Sequence, residues 1–267
     1  MKYKVFLKMK NTFIRQLVLY VGILSVSNIQ FAIAEEGFFK ETWNDGKYLA
    51  TSPSRLESSD VPFLVGSISL VGATMTADRS IHRQWQPDSL SANAQHLKNY
   101  SDKAQYIGPV VGAGFLAVGE CKGDTYARDT GRLALSSLFW TFVANAGLKL
   151  AMGRKRPSVG QDNPFSFKAF RSGGSFPSGH TDTTFAAATL FAERYPTWKV
   201  IVPAYSAAIA VAFARVYSNQ HWASDVVAGA LLGFGISHTI VSRHHGKTSS
   251  NNQIVFNGET LQWVRRF

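Results

Sequence analysis

Six apolar segments of helical length follow one another along most of this chain, and they restrict its possible folds more than any other feature. The segments cover residues 62–78, 106–119, 132–151, 180–194, 200–217 and 224–242. They lack the strict alternation of apolar and polar residues that marks a half-buried strand. Pro196 and Pro203 punctuate the fourth and fifth segments, and Gly153 with Pro157 ends the third. The sequence therefore predicts an all-α fold, a bundle of about six helices over residues 61–245.

The length of the apolar segments bears on whether the bundle lies in a membrane or in water. The best candidate spans, Val200–Phe213 and Val226–Val241, hold about 14 and 16 residues, fewer than the roughly 20 that an α-helix needs to cross a bilayer. Mean hydropathy over the whole chain is −0.04, which is low for six buried spans. We therefore expect a water-soluble bundle with peripheral membrane contact, and a membrane-embedded bundle is the alternative.

The first 34 residues have the pattern of a signal peptide. Five cations and no acids accompany an apolar stretch from Leu17 to Ala34, which ends in Ala32-Ile33-Ala34 before two glutamates. Small residues at the last and third-last positions fit a signal-peptidase site. We expect cleavage near Ala34 and export to a bacterial periplasm. An uncleaved anchor is the alternative, because the stretch approaches the length of a membrane span.

Two further regions flank the predicted bundle. Residues 35–60 are mixed and polar, with Ser52-Pro53-Ser54 marking irregular chain, and they are interpreted as an N-terminal arm. In the tail, residues 246–267, two strand-like runs flank Asn257-Gly258. Asn-Gly is the preferred pair for a type I′ turn, because both central residues need a positive φ. The tail therefore predicts a small C-terminal β-hairpin.

The charge of the chain favours an anionic partner. The formal net charge is +11, and five of the 28 Lys and Arg residues lie in the first 34 positions. The remaining cations still outnumber the 17 acids, which suits a phosphorylated substrate or an anionic membrane surface. No basic run is interleaved with aromatic residues, so the sequence argues against nucleic acid as a partner.

A histidine and an aspartate lie four residues apart in the motif Arg215-Val-Tyr-Ser-Asn-Gln-His221-Trp-Ala-Ser-Asp225. On a helix they would share a face. A carboxylate that accepts from one imidazole nitrogen fixes the tautomer and leaves the other nitrogen free as a nucleophile or base. The alternative is an exposed ion pair of little consequence, with Arg215 as a structural partner.

The motif Pro177-Ser178-Gly179-His180 leads from a loop rich in glycine and proline into a predicted helix. Free backbone N–H groups at a helix start bind phosphate oxygens, and a glycine lets the backbone approach closely. His180 would then lie in the first turn beside the anion. The alternative is a helix capped by Ser178 with a surface histidine.

The motif Lys149-Leu-Ala-Met-Gly-Arg-Lys-Arg156-Pro157 places basic residues at the end of the third predicted helix. Arg156 can bind two phosphate oxygens as a fork, and Lys149 can act as a point charge. Arg154 and Lys155 are expected to be solvated. Basic residues at a helix end are also favoured by the helix dipole alone, which is the alternative.

With these three motifs in order over residues 149–225, the chain resembles the type 2 phosphatidic acid phosphatase (PAP2) superfamily, which also includes bacterial non-specific acid phosphatases and vanadium haloperoxidases. The resemblance implies the helical bundle of that superfamily and a phosphatase that needs no metal or other cofactor. The third family motif usually begins Ser-Arg, whereas this chain has Ala214-Arg215. That difference removes a hydroxyl near the phosphate and bears on rate or substrate preference.

The resemblance also implies a role for each motif residue. His221 would attack phosphorus and become a phosphohistidine, and Asp225 would orient it. His180 would protonate the leaving oxygen and then activate water. The groups implied to bind the phosphate are Lys149, Arg156, Ser178, the Gly179 amide and Arg215.

The expected partner is a phosphomonoester, either a soluble molecule or a lipid phosphate or diphosphate. One alternative is an integral-membrane lipid phosphatase or phosphotransferase acting on phosphatidate-like, isoprenyl-diphosphate or lipid A substrates. A second is a vanadate-dependent haloperoxidase, for which the chain is short. A third is a helical module without catalytic activity.

Overall fold

The computed structural model describes residues 36–85, 91–159, 162–171, 173–248, 252–256 and 261–265. The α-helices in these ranges are α1 Glu36–Ala50, α2 Val61–Trp85, α3 Ala92–Ala104, α4 Ile107–Lys122, α5 Thr125–Met152, α6 Gly179–Arg194, α7 Trp198–Tyr217 and α8 Ala223–Thr248. Short 3₁₀ turns cover Ser52–Arg55 and Pro157–Val159. The strands are β1 Asn252–Phe256 and β2 Leu261–Arg265.

The prediction of an all-α bundle is confirmed, but the predicted number of about six helices is too low. Seven helices, α2 to α8, lie between Val61 and Thr248 in the described part of the chain. The helix missing from the prediction is α3, whose buried residues are Ala94, Ser101 and Ala104. Since these residues are small and partly polar, no apolar periodicity marked them in the sequence.

The predicted N-terminal arm contains a helix before the irregular stretch marked by Ser52-Pro53-Ser54. Residues 36–50 form helix α1, and Phe38 packs in a core cluster with Ala113, Leu116 and Leu135 of the bundle. Asp45 is buried and accepts hydrogen bonds from Ser136 Oγ (2.7 Å) and from Arg243 Nη1 (2.5 Å). The arm is therefore held to the bundle by a core contact and by a buried carboxylate.

Helix α6 lies at the centre of the bundle, in contact with α3, α4, α5, α7 and α8. Its closest packing is against α8, where two glycines face it. A Cβ atom on Gly229 would lie 2.6 Å from the carbonyl oxygen of Ser178. The glycine therefore allows the start of α6 to approach α8 at van der Waals distance.

We expect Gly229→Ala to lower the free energy of unfolding by about 1–3 kcal/mol, because the added methyl group overpacks this contact. The matched control is Gly235→Ala on the same helix, where an added Cβ meets no atom within 4 Å. The control should raise stability by roughly 0.5–1 kcal/mol, since alanine is the better helix former. Thermal unfolding followed by circular dichroism measures both. Equal melting temperatures for the two variants would contradict this packing.

The long loop predicted between the third and fourth segments is confirmed in position. Helix α5 ends at Met152, and Gly153 caps it with φ +51° while its N–H donates to Lys149 O at 2.9 Å. The chain then runs to Ser178 without α-helix in its described residues. By contrast, Pro203 does not separate segments, because it lies inside α7.

The helices are longer than the apolar segments predicted from the sequence, so their length no longer argues against membrane spans. Helix α7 has 20 residues and α8 has 26, longer than the predicted apolar stretches, because polar residues at their ends continue the helices. Four helices of the described chain are long and apolar enough to cross a membrane: α2, the helix within Thr125–Val159, α7 and Ala223–His244 of α8. The large apolar side chains of α2 point outward, including Phe63 (54% exposed) and Ile68 (73% exposed).

The two strands pair antiparallel, with Asn252 opposite Arg265 and Phe256 opposite Leu261. The Asn257-Gly258 turn lies outside the described residues, so the type I′ hairpin stays a prediction. The predicted signal peptide, residues 1–34, also lies outside the described residues.

Candidate active site

The three sequence motifs meet at one end of the bundle, and main-chain hydrogen bonds join them. Ser178 N donates to Asp225 O at 2.9 Å, which connects the start of α6 to the start of α8. Ser175 N donates to Arg154 O at 2.8 Å, which connects the same loop to the residues after α5. The motifs therefore share a single site.

His221 lies in the turn between α7 and α8 and is 2% exposed. Its Nδ1 is 3.5 Å from Asp225 Oδ2, and its Nε2 is 3.4 Å from Arg156 Nη1. A guanidinium only donates hydrogen bonds, so Nε2 is placed as the acceptor and Nδ1 as the nitrogen that carries the proton.

Electrostatics at His221 favour the neutral ring. Burial holds the pKa of the His221 imidazole well below its usual value. Three nearby positive charges lower this pKa further, those of Arg156, Arg215 and Lys149. The ring therefore has an unprotonated nitrogen directed at a cluster of cations, which is the arrangement of a nucleophile beside an anion site.

Asp225 is fully buried in the first turn of α8. Its Oδ2 accepts from the N–H of Trp222 at 3.0 Å, and its Oδ1 accepts from Arg154 Nη1 at 2.6 Å. The alternative of an exposed His–Asp pair on a helix surface is therefore wrong. The carboxylate is held in place by hydrogen bonds on both of its oxygens.

The second motif begins α6, as the sequence predicts. Ser178 occupies the N-cap position, but its side chain caps no N–H and instead accepts from Thr181 Oγ1 at 3.0 Å. The backbone N–H groups of the first turn are therefore not occupied by the Ser178 hydroxyl. A Cβ on Gly179 would lie 3.4 Å from Asn145 Oδ1, so the backbone is closely packed there.

His180 lies in that first turn, with its side chain 20% exposed. Its Nε2 is 3.4 Å from Asp102 Oδ1 on α3. Burial lowers the pKa of His180 well below its usual value, and the charges of Arg215 and His221 act in the same direction. Asp102 opposes them and raises this pKa. The two histidines are therefore close enough to influence each other.

The three predicted cations surround the histidines. Arg215 is 3% exposed, and its Nη1 is 2.5 Å from Asp102 Oδ1. Its Nε is buried without a hydrogen-bond partner among the described residues. Arg156 is half-buried and donates to Gln220 O at 3.1 Å. Lys149, also half-buried, donates to Pro177 O.

Three residues of this site were not predicted from the sequence. Arg154, expected to be solvated, is fully buried and forms ion pairs with Asp225 and Asp78. Asp78 is the single acidic residue of the apolar helix α2. A lone acid in an apolar segment was the sequence signal that could have identified it. Asp102 belongs to the polar helix α3 and carried no such signal.

Within the described ranges, no group of three or more His, Cys, Asp or Glu side chains is placed to hold a metal ion. Three of the acids near the site, Asp78, Asp102 and Asp225, form ion pairs with arginines. The donor set is therefore that of an anion site built from side-chain cations and backbone N–H groups.

Comparison with known proteins agrees with this geometry. Residues 131–249 match the family model described as the PAP2 superfamily, a range that contains all three motifs. The matched part of the chain is therefore similar to the PAP2 superfamily. Two residues of the site, Asp78 and Asp102, precede the matched range.

Several curated phosphatases are similar to part of this chain. A lipid A 1-phosphatase from Porphyromonas gingivalis is 40% identical over 94 residues, 34% of this chain and 18% of that protein. A lipid A 4′-phosphatase from Bacteroides thetaiotaomicron is 30% identical over 133 residues, 43% of this chain and 57% of that protein. The chain spans only about a fifth to three fifths of the length of these relatives.

A solved structure resembles the PAP2 fold of this chain. It is a transmembrane PAP2-type phosphatidylglycerolphosphate phosphatase from Bacillus subtilis, with a TM-score of 0.53 and 20% identity, covering 71% of this chain and 98% of that one. Together with the four long apolar helices, this likeness in fold supports association of the chain with a membrane.

Proposed function

We propose that this chain is a metal-independent phosphatase that hydrolyses phosphomonoesters of membrane lipids through a phosphohistidine on His221. The observation that carries the proposal is the position of His221, a buried neutral imidazole beside Asp225 that faces Arg156, Arg215 and Lys149. Positioning and charge stabilisation of this kind supply most of the catalysis in phosphoryl transfer.

In the first step, Nε2 of His221 attacks phosphorus and forms a P–N bond as the bond to the ester oxygen breaks. The negative charge of the bound phosphate favours the protonated ring of His180, which donates its proton to the leaving oxygen. In the second step, neutral His180 takes a proton from water, whose oxygen attacks phosphorus. The P–N bond then breaks, and its electron pair returns to Nε2. Asp225 compensates the positive charge that develops on the imidazole.

The phosphate oxygens would be bound by the cations and by the start of α6. Lys149 and Arg156 flank His221, and the Nε of Arg215 is a buried donor without a partner among the described residues. The amide of Gly179 and the hydroxyl of Ser178 complete the proposed set. Ala214 supplies no hydroxyl where the family usually has serine. The cations and the start of α6 therefore provide the hydrogen bonds that bind the phosphate.

A lipid substrate is favoured by the surfaces around the site. Four helices are long and apolar enough to span a membrane, and α2 exposes much of its apolar surface. An apolar groove between α3, α4, α6 and α7 passes Thr184, one turn from His180. It offers a place for an acyl chain beside the general acid. We propose an integral-membrane lipid phosphatase. Lipid A and phosphorylated diacylglycerol lipids are the first candidates, because relatives are named lipid A 1-phosphatase and probable diacylglycerol pyrophosphate phosphatase.

We propose that residues 1–34 direct export, so that the site faces the periplasm, and that residues 35–60 form an arm on the domain of residues 61–245. The tail, residues 246–267, is proposed to contain the hairpin. The basic leader and the Ala32-Ile33-Ala34 site support the export proposal. Alkaline phosphatase fusions after α2, α5 and α8 would test the orientation.

The test of the function is a substrate panel on the purified full-length chain in detergent. The substrates are phosphatidate, lipid A and p-nitrophenyl phosphate. The His221→Ala variant is the blank for each. We expect a higher kcat/KM for at least one lipid phosphate than for the soluble ester. A preference for soluble esters would contradict the lipid assignment, and bromide oxidation dependent on vanadate would favour a haloperoxidase.

Chelators should leave this activity largely intact, whereas vanadate should inhibit it. Side-chain cations replace a metal in the proposed mechanism, and vanadate resembles the phosphoryl group at its transition state. Phosphate release is measured after dialysis against EDTA and across a vanadate series. Loss of activity on chelation, restored by a divalent cation, would contradict the mechanism.

The Asp102→Asn variant should shift the pH profile of kcat. Asp102 raises the pKa of His180, so removing its charge lowers that pKa. Because the first step needs protonated His180, the alkaline limb of the profile should move to lower pH. Asp129→Asn, at the other end of α5, is the control. An unchanged or opposite shift would contradict the role of His180.

A further inference from the structure

Arg154 is the centre of a buried network on the side of Asp225 that faces away from the cation cluster. Its side chain is fully buried, and it uses four of the five N–H donors of a guanidinium. Nη1 donates to Asp225 Oδ1 (2.6 Å) and Ser224 Oγ (2.7 Å), and Nη2 donates to Asp78 Oδ2 (2.7 Å). Nε donates to Pro164 O at 2.7 Å.

Asp78 completes the network from α2. It is 1% exposed, and its Oδ1 accepts from Ser224 N at 2.9 Å while its Oδ2 accepts from Ser224 Oγ at 2.5 Å. It thereby holds the first turn of α8 as well as Arg154. Burying ions is costly unless each is paired and hydrogen-bonded, which is the case for both of these.

The network determines which oxygen of Asp225 faces the nucleophile. Arg154 occupies Oδ1, so Oδ2 is the oxygen left to face Trp222 N and His221 Nδ1. Asp78 and Asp225 share a single guanidinium, so one negative charge in this group is not balanced by Arg154. That charge lies where the imidazole becomes positive during phosphoryl transfer.

We propose that Arg154 and Asp78 are positioning residues, which fix the Asp225 carboxylate so that the proton of His221 stays on Nδ1 and Nε2 is free to attack. The inference rests on the proposed function for its kinetic consequences. It goes beyond that function because the hydrogen bonds of both side chains go to Pro164, Ser224, Asp225 and each other, and because Asp78 precedes the range matched by the family.

The kinetic test uses Arg154→Met and Asp78→Asn. We expect kcat on phosphatidate in mixed micelles to fall about 10- to 100-fold for Arg154→Met and about threefold to tenfold for Asp78→Asn, with KM changed less than threefold in both. The variants should lose nothing further in an Asp225→Asn background, because they act through Asp225. The control is Arg79→Met, next to Asp78 but half exposed.

Asp78→Asn keeps the shape of the side chain and an acceptor for Ser224 N, so it carries the test if Arg154→Met does not fold. A folded variant with wild-type kcat overturns the proposal, and so do losses that add to that of Asp225→Asn. A loss seen mainly in KM would assign Arg154 to substrate binding and overturn it as well.

A second measurement is independent of turnover. In histidine-selective ¹⁵N NMR of the full chain, assigned with His221→Gln, the wild-type ring should carry its proton on Nδ1. Arg154→Met should move a substantial fraction of that proton to Nε2. An unchanged tautomer overturns the positioning role. A wild-type protein without phosphatase activity would contradict the proposed function, and the tautomer would still decide the role of Arg154.

Discussion

Replacing His221 with alanine is expected to reduce kcat for phosphomonoester hydrolysis by roughly 10⁴-fold or more, because the variant has no nitrogen to accept the phosphoryl group. Helix content should be unchanged, since the residue lies in the turn between α7 and α8. Phosphate release and far-ultraviolet circular dichroism of the purified variant measure the two quantities.

The control for this prediction is His238→Ala. His238 lies on α8, half exposed and paired with Glu193 at 2.8 Å, and it takes no part in the site. It should keep wild-type kcat. Turnover of the His221 variant within tenfold of wild type would exclude this residue as the nucleophile.

Replacing His180 with glutamine is expected to lower kcat by about 10²- to 10⁴-fold on lipid phosphates, the usual contribution of a general acid. The loss should be much smaller in the first step for p-nitrophenyl phosphate, because p-nitrophenolate leaves without needing a proton. This substrate should therefore show a burst of p-nitrophenol followed by slow turnover, since the variant also lacks the base that activates water. Stopped-flow absorbance measures both phases.

His96→Gln is the matched control, an exposed histidine on α3. Equal losses on good and poor leaving groups, without a burst, would show that His180 binds the phosphate instead of transferring protons. Such a result would leave the nucleophile unchanged and would change the second half of the mechanism.

The residues of the three motifs could be predicted from the sequence because each motif is local. His221 and Asp225 are only four residues apart, which keeps them close although His221 lies in the turn before α8 and not on the helix, and Gly179 with His180 begins a helix after a loop rich in glycine and proline. Such short spacings determine geometry almost independently of the rest of the fold.

The partners of those residues depend on contacts between distant parts of the chain. Three basic residues follow Gly153 in direct succession, and nothing in their order shows that Arg154 turns inward while Arg156 faces the site. Arg154 turns inward because it pairs with Asp78, which is 76 residues away on another helix. Asp102, 113 residues from Arg215, lies on a polar helix without apolar periodicity.

The ends of the helices could not be predicted from the pattern of apolar residues either. Helices α7 and α8 continue past their apolar cores because charged and polar residues remain helical at both ends. The resulting lengths remove the length argument for a water-soluble bundle, since the shorter estimate depended on where apolar residues stop, and they support association with a membrane.

The most direct test of the central claim is to identify the residue that carries phosphate during turnover. The His180→Gln variant is quenched with alkali after reaction with ³²P-labelled p-nitrophenyl phosphate, whose leaving group needs no proton, and the labelled peptide is mapped by mass spectrometry. The account predicts a single phosphoramidate, stable to alkali and lost in acid, on His221. Phosphate on any other residue, or an unlabelled protein while the wild type turns over, would contradict it.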